Sequence, residues 1–193
     1  MISADLVAVV VLASGAVFIV FAQVARRRAV AARGESVRVA RGIAQLLPYL
    51  FWVPYLVVAL HLGPELAVHD GVRAVGLLLC VGGIGVALWA IVTLGRHYDL
   101  VLEIHAGHEV VRRGPFALVR HPVYTGLALH FIGACIATGS LLLVAGTVLV
   151  TFPTFVIRAR AEEQLLRERF GAEYDRYVDE VPMLVPRLPG GKK

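Results

Sequence analysis

Apolar and polar positions along this chain fall into long blocks rather than a fine alternation. Four apolar stretches, Asp5 to Gln23, Ile43 to Leu62, Gly71 to Leu94 and Pro122 to Ile157, are separated by short segments that hold almost all the charge. A helix needs roughly 20 apolar residues to cross a hydrocarbon core, so each of the first three stretches predicts one crossing. The fourth is much longer and is broken by Thr138-Gly139-Ser140, which predicts two short or tilted crossings joined as a hairpin. After Ile157 the pattern changes. Leu165, Leu166, Phe170, Tyr174, Tyr177 and Val178 recur at helical spacing with charges between them, predicting an amphipathic helix that continues from the last crossing, is interrupted at Gly171 and ends near Pro182.

The expected fold is therefore all-α: a polytopic membrane protein with about five transmembrane helices, the last two a helical hairpin, plus a C-terminal amphipathic cytoplasmic helix. One domain, 1–193, is the economical division, with N-terminal spans in 1–94 and the polar motif region, hairpin and C-terminal helix in 95–187.

Composition agrees with this reading and removes others. With 58% hydrophobic and 17% charged residues, the 193-residue chain lies outside the range of a soluble domain of its size. In a five-crossing arrangement 18 of the 19 lysines and arginines fall on one side, and Arg73 alone falls on the other. The positive-inside rule makes the basic side cytoplasmic, with the N-terminus outside and the C-terminus inside. The net charge of +5 is then a consequence of topology, and no nucleic-acid partner is called for. The first apolar stretch is followed rather than preceded by its basic cluster, Arg26-Arg27-Arg28, the pattern of a retained anchor and not of a cleaved signal.

Smaller features carry expectations of their own. Cys80 and Cys135 lie inside apolar stretches without metal-ligand spacing and are expected to be buried small hydrophobes. Pro48, Pro54 and Pro153 are expected to kink their helices, and Gly82, Gly83 and Gly85 to let a neighbouring helix approach. The loop 61–72 reads as a simple connection.

The chemistry concentrates between Gly107 and Gly126, GHEVVRRGPFALVRHPVYTG. Polar groups are costly in such a protein, so their clustering marks a site. Pro122 disfavours helical geometry at His121 and can itself open the next helix, which places Arg120 and His121 at the membrane boundary beside free N-terminal amides suited to a carboxylate. Taken alone, Arg120 and Tyr124 also fit interfacial anchors, one snorkelling and the other in the aromatic belt. Later in the chain Arg158 and Glu162, four residues apart, share a helix face, while Glu163 points about 100° away. A plain surface pair of this kind is worth roughly 0–1 kcal/mol. Its location, at the membrane boundary on the same side as His121, gives it more interest.

In order and spacing, these pieces resemble the isoprenylcysteine carboxyl methyltransferase family and its phospholipid-methyltransferase relatives. The resemblance rests on Gly95-Arg96, on His108-Glu109-Val110-Val111, on Gly114-Pro115-Phe116 and on Arg120-His121-Pro122-Val123-Tyr124-Thr125-Gly126. After a short hairpin come Arg158 with Glu162-Glu163, Phe170-Gly171-Ala172-Glu173-Tyr174, Tyr177 and a closing Pro182 or Pro186. It covers about half the chain. It implies S-adenosylmethionine as cofactor, with His108, Glu109, Val110, Val111, Phe116, His121, Pro122, Val123 and Tyr124 lining its pocket. Glu162, with Glu163 beside it, would hold the cofactor's charged amino end. Arg158 would bind the acceptor, and Arg158 and Glu162 would be the catalytic pair. The implied acceptor is lipophilic, foremost the carboxylate of an isoprenylcysteine or similar lipid acid, with a phospholipid amine or a small thiol as other choices.

These roles are physically coherent. Methyl transfer from a sulfonium requires mainly alignment and exclusion of water, so no metal is called for. An ionised carboxylate needs orientation more than deprotonation, which the arginine fork provides. Three positions depart from the family's pattern: Phe116, where tyrosine is common; Ala117-Leu118, in place of a basic and aromatic pair; and Asp99, where a small hydroxyl residue is frequent. Two other readings compete. A sterol-reductase-like enzyme using NADPH would need more cationic and amide donors for its phosphates, and a scaffold whose arginines bind anionic lipid would leave the ordered motifs without a role.

Overall fold

The structure is a computed structural model that describes residues 1–32, 36–39, 52–99, 103–105, 107 and 109–187. Its helices are α1 (Ala4–Ala32), α2 (Trp52–Ala59), α3 (Asp70–Leu94), α4 (Pro122–Thr138), α5 (Leu141–Gly146), α6 (Phe152–Phe170) and α7 (Ala172–Glu180). A π-helical turn, Thr147–Thr151, joins α5 to α6, so Leu141–Phe170 forms one continuous rod. Among the described residues, three helical runs are long and apolar enough to cross a membrane: Ala4–Ala32, Asp70–His97 and Leu141–Phe170. The apolar helix Pro122–Thr138 is shorter. The first nine residues of the Ile43 to Leu62 stretch, Pro48 included, lie outside the described residues.

The all-α expectation needs one amendment. Strands β1 (Ser36–Val39) and β2 (Glu103–His105) pair antiparallel, with Ser36 opposite His105 and Val39 opposite Glu103. Both strands alternate polar and apolar residues, SVRV and EIH, but over four and three residues the alternation is too short to announce them. Their pairing ties the loop after α1 to the loop after α3. Arg26 of α1 makes the same connection from its side chain, donating through Nε to Asp99 Oδ1 at 2.9 Å.

The tightest helix contact is between α3 and α4, and glycine makes it possible. A Cβ added at Gly83 would lie 2.4 Å from the Gly126 carbonyl oxygen, and one at Gly133 would lie 2.4 Å from the Cys80 nitrogen. Gly76 and Gly83 on α3 thus face Gly133 and Gly126 on α4 across an antiparallel seam with a seven-residue repeat. Small residues at such a seam let two backbones come together where lipid supplies no hydrophobic drive. Gly82 and Gly85, which the sequence places in the same cluster, face open space instead.

The seam encloses a polar chain. His130 of α4 is fully buried; its Nε2 lies 3.1 Å from the Tyr55 hydroxyl of α2, and its Nδ1 lies 3.0 Å from Cys80 Sγ of α3. Tyr55 reaches it across Gly15 of α1, where a Cβ would sit 2.4 Å from the ring. Cys80 is therefore a partner in a four-helix network and more than a small hydrophobe.

At the hairpin end, Gly139 takes a positive φ of 70° and donates to the Cys135 carbonyl, closing α4. The loop 61–72 is more than a connection here. Leu66 N donates to Gly139 O at 2.9 Å and Leu141 N donates to Pro64 O at 3.0 Å, which fastens the loop to the turn. Pro153 enters α6 just after the π turn, where the widened helix accommodates a residue that cannot donate.

Candidate functional site

The opposite end of the bundle collects the polar motif. The chain leaves α3 through a 3-10 turn, Gly95–His97, passes β2, and forms a second 3-10 turn, Gly114–Ala117, before Pro122 opens α4. His121 stands at the N-cap of α4 with no side-chain capping bond, so its imidazole is available to other groups.

Those groups come from α6. His121 Nε2 donates to Glu163 Oε1 at 3.1 Å, and Nδ1 lies 3.7 Å from Glu162 Oε2. Arg120 Nε donates to the same Glu163 oxygen at 2.8 Å. Arg120 does not snorkel: its side chain is 8% exposed, and Nη1 turns inward to the carbonyls of Val178 and Val181. The interfacial-anchor reading of this arginine is corrected accordingly. A buried carboxylate demands a partner, and Glu163, 4% exposed, supplies the stronger pull.

The segment after α7 is held by the same stretch of backbone. Arg120 N donates to Pro182 O, His121 N to Met183 O, and Thr125 Oγ1 to Leu184 O at 2.7 Å. Residues 182–184 are thereby laid over the start of α4 as a strap. Beneath it, α7 packs Tyr174 and Tyr177 against Val110, Leu166, Phe170 and Val178. The Tyr177 hydroxyl donates to Phe116 O at 2.7 Å, and Arg112 lies 5.3 Å over the Tyr177 ring. Burial pushes both phenols well above their ordinary range, so both stay protonated and Tyr177 acts as a neutral donor.

Deeper in the bundle, Tyr124 stacks between His121 and Phe155, with centroids 5.8 and 5.7 Å away. Its hydroxyl accepts from Arg158 Nε at 3.2 Å, and Glu162 lies within hydrogen-bond range of the same oxygen. Arg158 is buried, whereas the Glu162 side chain is 40% exposed. A cationic fork and an anionic carboxylate therefore flank one tyrosine hydroxyl, one on its inner side and one toward water.

The sequence-derived residues sort into three groups. His121, Pro122, Tyr124, Arg158, Glu162 and Glu163 meet in one place, with Val123 packed behind them on the α1 and α3 side. Val110 and Phe116 meet the α7 tyrosines rather than the carboxylates. Glu109 is exposed and pairs with Arg96 at 3.1 Å; His108 lies outside the described residues. Glu163 is already engaged by Arg120, His121 and, at 3.8 Å, Arg167.

Sequence reasoning missed several roles. Arg112 and Arg26 position the site without a local signature, whereas Thr125, inside the Arg120–Gly126 motif, and Asp99, a departure from the family's pattern, stand out in the sequence without revealing their partners. Tyr98 was also missed, although it directly follows the Gly95-Arg96 element.

A family model described as phospholipid methyltransferase matches residues 72–173, more than half of the chain. A rice (Oryza sativa subsp. indica) protein named "Probable protein-S-isoprenylcysteine O-methyltransferase" is 33% identical over 125 residues, which are 64% of this chain and 65% of that protein. Protein-S-isoprenylcysteine O-methyltransferase B of Arabidopsis thaliana is 28% identical over 64% of each chain. The chain thus spans just under two thirds of the length of these relatives. Among solved structures, the eukaryotic intramembrane Ras methyltransferase ICMT (isoprenylcysteine carboxyl methyltransferase) is similar, with a TM-score of 0.58 at 28% identity over 77% of this chain and 53% of that one.

Proposed function

The chain belongs to the phospholipid methyltransferase family, and from that premise we propose that it transfers a methyl group from S-adenosylmethionine to a lipophilic acceptor, foremost the carboxylate of an isoprenylcysteine-like or other lipid acid. The observation that carries this reading is the arrangement of Arg158, Tyr124 and Glu162 around one hydroxyl. It offers an anion site and a cation site side by side, as a carboxylate acceptor and an amino-bearing cofactor require.

The residues present fit such a cofactor. Glu162 presents a partly exposed carboxylate beside the stacked His121 and Tyr124 rings, suited to an ammonium group and an adjoining flat ring system. Glu163, by contrast, holds Arg120 and His121 in place, which in turn orients the ring stack. When bound, the cofactor supplies an electrophilic methyl group. Arg158 orients the acceptor carboxylate through its guanidinium, and Tyr124 keeps that fork in register by accepting from Nε. The strap of residues 182–184 covers the start of α4 beside the site, and Glu162 stays open to the water from which the cofactor arrives.

The protein acts in the membrane with five crossings: α1, the segment containing α2, α3, α4 and the α5–α6 rod. The site end faces the cytoplasm, because the basic loops after α1 and α3 are joined there by the β1–β2 pairing and Arg26–Asp99. The lipid part of the acceptor enters sideways between helices.

The deciding experiment titrates the detergent-purified protein with S-adenosylmethionine, its demethylated product and NADPH. Transfer of labelled methyl to a prenylated cysteine acid is then followed. Binding of the first two ligands with ester formation is the expected result. Binding of NADPH alone, or of none of the three, would sink the reading.

A further inference from the structure

Tyr98 follows the 3-10 turn Gly95–His97, its backbone extended at φ −74° and ψ 128°, and its amide donates to Gly95 O at 3.2 Å. The turn swings the ring inward. Ala22 and Phe18 of α1, Ile91 and Leu94 of α3, and Val123 of α4 surround it, and only 4% of the residue remains exposed. Its hydroxyl is buried and has no hydrogen-bond partner among the described residues.

An unpartnered buried hydroxyl lowers stability, and phenylalanine would fill the same space without that loss. A tyrosine here therefore calls for a partner that the described residues do not provide. The surroundings say what kind. The hydroxyl feels Tyr124, Asp99, Arg158 and Glu162, and burial first, then these neighbours, keeps it protonated and so a neutral donor. Asp99 is already paired to Arg26. The ring face toward α1 is lined by apolar side chains, as a lipid tail requires, whereas Glu162 lies toward water.

We propose that the Tyr98 hydroxyl is a second donor to the acceptor's carboxylate, acting beside Arg158 and selecting lipid acids over their neutral esters. This rests on the methyltransferase reading for its substrate class. A hydroxyl donor beside the guanidinium fork gives the carboxylate a second point of attachment, on the side the fork does not reach.

The test is Tyr98→Phe in the full-length detergent-purified protein, with three readouts. Thermal unfolding without ligand should be unchanged or shifted upward, because the variant removes an orphaned hydroxyl. Affinity for S-adenosylhomocysteine should be unchanged. Affinity for N-acetyl-S-farnesylcysteine should fall roughly tenfold, while affinity for its methyl ester stays the same, and the loss should appear in KM more than in kcat. A lowered unfolding temperature would mean the hydroxyl has a structural partner. Loss of homocysteine-ligand affinity would place it in the cofactor pocket, and an unchanged affinity for the acid would leave it without a role. Any of these overturns the proposal. If the wild type binds the acid in a Tyr98-dependent way without methylating it, the methyltransferase reading fails and the Tyr98 assignment stands. If it methylates the acid and Tyr98→Phe does so equally well, only the Tyr98 assignment fails. If it binds neither acid nor cofactor, both fail.

Discussion

Arg120 and Glu163, 43 residues apart, form an ion pair shielded from water, with 2.8 Å between Nε and Oε1. The pair does more than join α6 to the start of α4. Because Arg120 also donates to the Val178 and Val181 carbonyls, one guanidinium ties α6 to the end of α7, and its backbone amide adds the first bond to the strap that follows. Removing one member of a buried pair leaves the other as an uncompensated charge, which typically costs roughly 3–5 kcal/mol. Arg120→Ala should therefore lower thermal stability by an amount of that order and expose residues 182–187 to protease. Arg120→Lys keeps the charge but loses the fork, so it should recover only part of the loss. Wild-type stability in Arg120→Ala, measured by thermal unfolding in detergent, would show that the pair holds nothing together.

Glu162 differs from its neighbour in exposure, and that difference predicts a separable phenotype. Its carboxylate is 40% exposed and lies 3.7 Å from the His121 ring, so the fold does not depend on its charge as it depends on that of Glu163. Glu162→Gln should leave unfolding temperature nearly unchanged and weaken S-adenosylmethionine binding by roughly tenfold or more, the loss expected for one charge-assisted hydrogen bond. Titration calorimetry checks this directly. Undiminished affinity would remove Glu162 from the cofactor site.

Much of this division was legible in the sequence, and the part that was not has physical causes. The apolar stretches announce α1, α3 and the hairpin because a lipid environment leaves few other ways to satisfy a backbone. The Thr138-Gly139-Ser140 break falls at the observed turn, since Gly139 alone can take its positive φ beside Leu66 at so close a distance. Helix periodicity separates Glu162 from Glu163 but does not say which one faces inward. That choice is made by Arg120, which looks like an interfacial anchor until the C-terminal segment folds back over it. The β1–β2 ribbon and the Arg26–Asp99 pair are contacts between loops far apart in sequence, and no local pattern encodes them.

Arg158 is the group whose loss should separate binding from turnover. It is buried, is held by the Tyr124 hydroxyl at 3.2 Å, and stands on the inner side of Glu162. Arg158→Ala should retain S-adenosylmethionine binding within a few-fold while reducing methylation of a carboxylate acceptor by at least about a hundredfold, as expected when an orienting, charge-bearing clamp is lost. Arg158→Lys should not restore it, because a point charge cannot reproduce the planar fork. Turnover of a lipid acid at near wild-type rate in Arg158→Ala, followed by labelled methyl transfer, would remove the clamp from the mechanism.

Gly82 and Gly83 are adjacent in sequence, yet they should respond in opposite ways to the same added methyl group. A Cβ at Gly83 would lie 2.4 Å from the Gly126 carbonyl oxygen and 2.5 Å from the His130 nitrogen, both backbone atoms that cannot rotate aside. To admit it, α3 and α4 must separate, and that separation would also stretch the His130–Cys80 contact that the seam encloses. Overpacking of this kind costs roughly 1–3 kcal/mol, and Gly83→Ala should lower the unfolding temperature accordingly. Gly82 meets nothing within 4 Å, so a methyl there clashes with no part of the fold. Removing glycine from a helix interior is itself stabilising by about 0.5–1 kcal/mol, so Gly82→Ala should be neutral or slightly stabilising. Thermal unfolding of the two variants side by side tests the seam with chemistry, length and local sequence held constant. Equal effects would mean that α3 does not present Gly83 to α4.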